Sequence, residues 1–207
     1  MNQTTTRWWW IRHAPVIGHE GRIYGNSEVA CDTSDAAAFG ALAGRLPDRA
    51  VWVTSHLGRA RETAAALVDG GAEPAEPSIE PDLAEQHFGD WQGRTYAELE
   101  RAGAAVYHKF WLTPADHAPP GGESFAAVIE RVRPVVERLT AAHAGRDIVA
   151  VAHGGSIRAA LALALGLGAE AALTFRIEHL SLTRIDHVAG PGPGGDWRVG
   201  SVNLPTK

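Results

Sequence analysis

The sequence predicts a three-layer α/β/α fold with a mostly parallel central sheet, and three observations carry that prediction. Short apolar, strand-like runs alternate with helical patterns along most of the chain, as they do where crossover helices join parallel strands. The run 148–152, Ile-Val-Ala-Val-Ala, is apolar throughout, which suits a central strand covered on both faces. Three of the runs stop on polar residues, and two of these lead directly into a helical pattern.

Taken in order, residues 8–11 (Trp-Trp-Trp-Ile) form a bulky, β-prone run that stops at Arg12-His13-Ala14-Pro15, where proline breaks any ladder; they read as a buried first strand. Residues 32–35 offer N-cap candidates ahead of an alanine-rich helix reaching Leu46, which Pro47 ends. Residues 51–54 are a second strand, and a helix over 57–68 follows directly, stopped by Gly70-Gly71. From 74 to 93 the chain is rich in Pro, Gly and acidic residues, so a long excursion over the surface or the rim of a cleft is expected, with regular structure resuming near Tyr96.

Phe125, Val128, Ile129, Val132, Val135, Val136 and Leu139 recur at helical spacing, with Pro134 expected to kink or break the helix they define. The strand 148–152 leads through His153-Gly154-Gly155 into an alanine/leucine helix ending at Gly166. Residues 174–185 alternate as a strand does, a Gly/Pro loop covers 190–195, and a last short strand lies near 197–199.

With 207 residues, 45% of them hydrophobic and 21% charged, one domain over 1–207 is expected. The net charge of -5 argues against a nucleic-acid partner, which leaves a basic footprint. A small anion remains compatible, because a few local arginines outweigh a mildly acidic whole. The lone Cys31 makes no internal disulfide, and its Val-Ala-Cys-Asp-Thr context carries no nucleophile signature. No run approaches the roughly 18 apolar residues that span a bilayer. Residues 8–11 are too few for a signal-peptide core, so no membrane association and a cytoplasmic location are expected. The oligomeric state stays open, a homodimer included.

In open parallel sheets ligands bind beyond the carboxyl ends of the strands. There the first run supplies Arg12-His13, the second Ser55-His56 with Arg59 one helical turn on, and the run 148–152 supplies His153. Two arginines and two histidines along one sheet edge suit an oxyanion carrying two or more charges. Gly154-Gly155, opening a helix, adds backbone N–H groups that approach an anion closely. Any one of these pairs alone reads more simply as a surface or structural feature; their succession is the signal.

Five motifs occur in order between Arg12 and Arg158: Arg12-His13 after an apolar strand; Thr54-Ser-His-Leu-Gly-Arg-Ala-Arg-Glu-Thr-Ala64; Leu83-Ala84-Glu85 with Phe88-Gly-Asp-Trp-Gln-Gly93; Gly121-Gly-Glu-Ser124; and Val151-Ala-His-Gly-Gly155. The set resembles the histidine phosphatase superfamily, whose members are phosphoglycerate-mutase-like in fold. Its 88–95 segment resembles the bacterial α-ribazole phosphatase group. The resemblance implies that His13 is a nucleophile that becomes phosphohistidine, that Arg12, Arg59 and His153 hold the phosphoryl oxygens together with Gly154, and that Glu85 donates the proton. The chemistry asks for the same roles. A histidine attacks phosphorus through an unprotonated nitrogen, and neighbouring guanidiniums disfavour the imidazolium. A carboxyl group desolvated near the mouth of the site would protonate the leaving alkoxide and then deprotonate water.

The pattern departs from the family at Ala14-Pro15, where members commonly carry Gly-Glu, so an altered pocket wall is expected. His19 stands where the family often has asparagine, and His19, Arg22 and Tyr24 are candidate substrate contacts, the rival reading of His19 being an exposed loop residue. His56, His87 and His179 each read more simply as structural or exposed than as cleft residues, and Trp8, Trp9 and Trp10 as packing. Neither a metal nor a cofactor is expected, since no His-x-x-x-His or Cys/His spacing appears and two arginines would repel a divalent cation. The reading that results is a phosphomonoesterase acting on a small phosphorylated metabolite, α-ribazole 5'-phosphate among them. A phosphoglycerate-type mutase and a catalytically silent phosphate-binding protein are the alternatives.

Overall fold

The computed structural model describes residues 3–19, 21–74, 76–102, 112–190 and 196–206. Among these, six strands form one mixed sheet: β1 (Thr4–Arg12), β2 (Val51–Thr54), β3 (Ser78–Ile79), β4 (Asp147–Ala152), β5 (Leu182–Ala189) and β6 (Trp197–Leu204). Their order is β3-β2-β4-β1-β5-β6. The first four run parallel, and β5 and β6 extend the β1 edge antiparallel. The helices are α1 (Ala36–Ala43), α2 (Gly58–Asp69), α3 (Tyr96–Arg101), α4 (Phe125–Ala142), α5 (Gly154–Leu165) and α6 (Ala169–Leu173).

The two-residue period of the strands divides the core into two layers. Trp8, Trp10, Ile148, Ala150 and Ala152 face α4 and α5, meeting Val128, Val132, Val135, Ile157 and Leu161. Ile11, Val149 and Val151 face α1 and α2, meeting Phe39, Leu42, Ala64 and Leu67. The apolar run in β4 is therefore uniform because both of its faces are covered. Trp8 and Trp10 stack at 4.9 Å on the α4 side, and Trp8 Nε1 donates to Thr140 Oγ1 at 2.9 Å. Truncating either ring is expected to cost about 3–5 kcal/mol.

Several expectations need adjusting. The 174–185 stretch is strand only from Leu182 onward. Before that point α6 ends at the Thr174 cap, and the carbonyls of Phe175 and Ile177 accept from Arg158 and Arg12 instead of joining a ladder. Helix α4 runs unbroken through Pro134, and the Glu130 carbonyl that loses its helical partner belongs to an exposed residue. Helix α1 is shorter than read, ending at Gly44. The 74–93 excursion contains β3, which pairs with β2, and two single 3₁₀ turns, Pro81–Leu83 and Gly89–Trp91. The last strand is longer than read. Of the loop read over 190–195, residues 191–195 lie outside those described. Among the described residues no helix is long and apolar enough to cross a membrane.

Candidate active site

β1, β2 and β4 end side by side, so Arg12-His13, Ser55 and His153 meet at one edge of the sheet, and Arg59 reaches the same point from the first turn of α2. His13, Arg59 and His153 are completely buried. The His13 ring lies 5.1 Å from that of His153 and 5.0 Å from that of His179, centroid to centroid.

The hydrogen bonds of His13 determine its tautomer. Nδ1 lies 2.7 Å from the Ala14 carbonyl, which can only accept, so Nδ1 carries the ring proton. Nε2 is left with its lone pair, and Arg59 Nε donates to it at 3.3 Å. The ring is held neutral: burial, Arg59, Arg12 and His179 push its pKa well below the usual histidine value, against the Ala14 bond that raises it. This corresponds to the expected depression by guanidiniums, with burial the larger cause.

Arg59 is fastened as well as charged. Its two terminal amines donate to Ser27 O and Gly25 O, each at 2.7 Å, and its guanidinium lies 5.2 Å from the Tyr24 ring centroid. It thereby holds the loop that follows His19 against the site. Arg12 donates to Ile177 O at 2.6 Å and to the Tyr24 hydroxyl at 3.4 Å, while its buried Nε has no partner. In His153, burial first, then the neighbouring His13 ring and the Arg59 and Arg12 guanidiniums, also lower the pKa well below the usual value. Ser55 Oγ accepts from Leu57 N–H and lies 2.7 Å from His153 Nε2. On the other side of the ring, His153 Nδ1 is buried and has no hydrogen-bond partner.

Glu85 enters from the 74–93 excursion. Its Oε1 accepts from Gly155 N–H at 2.9 Å and from Gln86 N–H at 3.0 Å, leaving Oε2 for other chemistry. A side chain on Gly155 would overlap Oε1, so the carboxylate can hold this place only while residue 155 is glycine. The carbonyl behind the carboxylate is clamped by α4: Arg131 donates to Glu85 O (3.2 Å) and Asp82 O (2.6 Å) and pairs in a fork with Glu123 (3.0 and 2.8 Å). Glu123 also accepts from His87 N–H at 2.9 Å.

Beside Glu85 opens a cleft of about 450 Å³ lined by Arg22, Tyr24, Phe88, Tyr96, Phe125 and Arg158, among others. Of the candidate substrate contacts, Arg22 and Tyr24 line it, and His19 approaches the Tyr24 ring at 6.3 Å with Nδ1 buried and unpartnered. His56 is exposed, and the observed bonds of His87 are those of its backbone. Ala14 is buried and its N–H donates to Thr63 Oγ1 at 2.9 Å, which in turn donates to Arg59 O. Cys31 is half-buried, its thiol pushed up to about 11 by burial and Glu62, which leaves it a poor nucleophile. Among the described residues no three His, Cys, Asp or Glu side chains form a group that could hold a metal ion.

Sequence reasoning gave Arg131 and Arg158 no role, named Ser55 only as a strand-end residue, and read His179 as more simply structural or exposed than as a cleft residue. His179 Nδ1 donates to the His13 carbonyl at 3.0 Å, its own pKa lowered by burial and Arg12. Arg158 was within reach of pattern reading, being one helical turn beyond Gly154-Gly155 on the same face of α5.

A model of the histidine phosphatase superfamily (branch 1) matches residues 8–197. A glucosyl-3-phosphoglycerate phosphatase of Mycolicibacterium vanbaalenii is 42% identical over 171 residues, 76% of this chain and 73% of that protein. An adenosylcobalamin/alpha-ribazole phosphatase of Salmonella typhimurium is 30% identical over 190 residues, 89% of this chain and 92% of its own. The solved structure of a mycobacterial glucosyl-3-phosphoglycerate phosphatase superposes with a TM-score of 0.82 at 29% identity, covering 97% of this chain and 99% of that one. Other mycobacterial relatives are longer, and the chain spans about half (50%) of their length.

Proposed function

The chain belongs to the histidine phosphatase superfamily and is a phosphoric monoester hydrolase, and from that premise we propose that it cleaves a small phosphorylated metabolite through a phosphohistidine formed on His13. One observation carries this reading: the free Nε2 lone pair of a neutral, buried His13, with the Arg59 Nε–H directed at it.

In the proposed reaction the dianionic phosphoryl group sits among Arg12, Arg59, His153 and the Gly154 N–H that opens α5. These donors stabilise the charge spread over the equatorial oxygens in a loose transition state. His13 Nε2 forms the P–N bond as the P–O ester bond breaks, and the departing oxygen takes a proton from Glu85 Oε2. Water then attacks phosphorus, giving its proton to Glu85, and the P–N bond breaks to release phosphate and restore His13. The arginines act twice, holding the nucleophile unprotonated and neutralising the substrate.

For the substrate itself, α-ribazole 5'-phosphate and glucosyl-3-phosphoglycerate are the two candidates that the named relatives supply, and a cleft lined by Tyr24, Phe88 and Tyr96 offers aromatic surface to a sugar or a heterocycle. The test uses p-nitrophenyl phosphate. Wild type is expected to release nitrophenol and, in an alkaline quench with labelled phosphoester, to carry an acid-labile phosphoryl label. His13→Ala is expected to lose at least about a thousandfold in kcat and all of the label. Equal turnover by both proteins would overturn the reading, and a panel of phosphomonoesters containing both candidates ranks the substrates.

A further inference from the structure

We infer that His179 is a positioning residue for the nucleophile: by donating to the His13 carbonyl it sets the line along which His13 Nε2 meets phosphorus. The inference rests on the phosphatase reading above, and in it His179 acts through His13 and not on the ligand.

Every polar atom of His13 other than Nε2 is held by the protein. Its N–H donates to Ala152 O at 3.0 Å, its ring Nδ1 donates to Ala14 O at 2.7 Å, and its carbonyl accepts from His179 Nδ1 at 3.0 Å. A carbonyl can only accept, so the proton of that last bond sits on His179 Nδ1. The strand pairing shows why the carbonyl depends on a side chain. β1 runs parallel to β4 with Arg12 beside Ala152, and a ladder continued by one more step would give the His13 carbonyl to the Gly154 N–H. Gly154 opens α5 instead. The imidazole of His179 takes the place of that ladder donor, and the Gly154 N–H stays with the helix end that the proposed reaction directs at the phosphoryl group.

The chain departs from regular backbone to bring the imidazole there. Arg12 N–H donates to Ser181 O at 3.4 Å and Arg12 O accepts from Leu180 N–H at 3.0 Å, so two residues before β5 stand opposite one in β1, the pattern of a bulge. Leu180 is buried and has a φ of 55°, a left-handed conformation usually left to glycine. The turn is braced from both sides: Glu178 N–H donates to Asn203 Oδ1 at 2.6 Å, and Ser181 Oγ donates to Glu178 O at 2.7 Å. Backbone held in an unfavourable conformation beside a reactive group points to function, and the side chain aimed by this turn is His179. Its ring comes to rest 5.0 Å from that of His13, inclined by 59°. Burial and Arg12 lower its pKa, which suits a neutral donor to a carbonyl better than a cation facing the phosphoryl group.

The experiment is a single-turnover measurement with enzyme in saturating excess over p-nitrophenyl phosphate or glycerol 3-phosphate, so that unfolded molecules do not enter the rate constant. In His179→Leu, which fills the space without a donor, the rate constant of P–O cleavage is expected to fall about tenfold or more, as a small misplacement of a reacting group causes. The fall should be alike for both esters, because the nucleophile and not the proton donor is displaced, and the enzyme concentration at half-saturation should change little. His179→Asn, whose amide N–H falls near the place of Nδ1–H, is expected to recover most of the loss. His179→Ala repeats the first comparison should the leucine variant not fold. An unchanged rate constant in the variant lacking the donor, whatever its melting temperature, would overturn the inference. So would an asparagine variant as slow as the leucine one, a loss confined to half-saturation, or a loss much larger on glycerol 3-phosphate, which would place His179 on the substrate or on Glu85. These outcomes leave the phosphatase reading standing as long as wild type turns over p-nitrophenyl phosphate and carries the phosphoryl label. A wild type that does neither would overturn that reading itself.

Discussion

Arg59 Nε stands 3.3 Å from His13 Nε2, and the rest of the Arg59 guanidinium is committed to the carbonyls of Gly25 and Ser27. The same side chain thus orients a nucleophile and fastens a loop. Arg59→Met is expected to lower kcat/KM at least about a hundredfold, as loss of charge stabilisation at a transferring phosphoryl group does. It is also expected to lose stability, about 1–3 kcal/mol for each buried acceptor left unpaired. Steady-state kinetics and denaturant unfolding check the two losses together. Arg59→Lys should rescue neither, because an ammonium cannot reach three acceptors in a plane. From sequence this residue reads only as a ligand to the phosphoryl oxygens; its complete burial adds a structural role.

Gly155→Ala tests the approach of Glu85 to helix α5. Alanine is the better helix former by about 1 kcal/mol, so the helix itself should tolerate the change. Its Cβ would occupy the place of Glu85 Oε1, and the carboxylate must leave its two N–H donors. A fall of about tenfold or more in kcat on alkyl phosphates is expected, with melting temperature within a few degrees of wild type. Full activity would show that the carboxylate is free to sit elsewhere.

Much of this site is legible in the sequence because strand ends are. An apolar run, then Arg12-His13 or His153-Gly154-Gly155, places its polar residues at the carboxyl edge of the sheet whatever the loops do. The same signal does not reach the supporting contacts. Periodicity reports which face of an element is buried, and says nothing of which carbonyl a guanidinium captures. The alternation of 174–181 therefore read as strand, while its carbonyls in fact hold Arg12 and Arg158. Glu123 and Arg131 lie eight residues apart across a helix start, with no heptad or capping pattern to pair them. Glu85 was found through its flanking motif and not through burial, since most acids on a Pro/Gly-rich excursion are solvated.

The buried histidines set the acid stability of the fold. His13 and His153 are held well below the ordinary histidine pKa by burial first and neighbouring cations second, and His179 is lowered by burial and Arg12. As pH falls through about 6.5 the unfolded chain takes up protons on these rings and the folded chain does not. The unfolded state then binds more protons, so stability falls with pH from about 6.5 downward until the depressed folded values are reached. The melting temperature is expected to decline between pH 7.5 and 5, above the range where most carboxylates titrate. His13→Asn, with one such ring fewer, should decline less steeply. A slope equal to that of wild type would contradict the neutral, buried assignment of His13.

The Arg131–Glu123 fork is the support for Glu85 most open to test. Arg131 bonds the Glu85 and Asp82 carbonyls from α4, and Glu123 takes the His87 N–H on the other side, so the backbone carrying the carboxylate is fixed at both ends. Arg131→Met leaves those carbonyls unpaired and Glu123 without its cation. Stability is expected to drop by about 3–5 kcal/mol, the usual cost of breaking a partly buried pair by removing one partner. A purely structural effect would reduce the active fraction and slow every substrate alike. If the fork instead positions the proton donor, kcat should fall about 10–100-fold on alkyl phosphates and much less on p-nitrophenyl phosphate, whose leaving group needs little protonation, with KM moving less than kcat. Glu85→Gln should give the same discrimination between leaving groups, and the double variant little beyond the larger single loss, because both changes act through one carboxyl group. Uniform slowing in Arg131→Met, or additive losses in the double variant, would separate the fork from the acid.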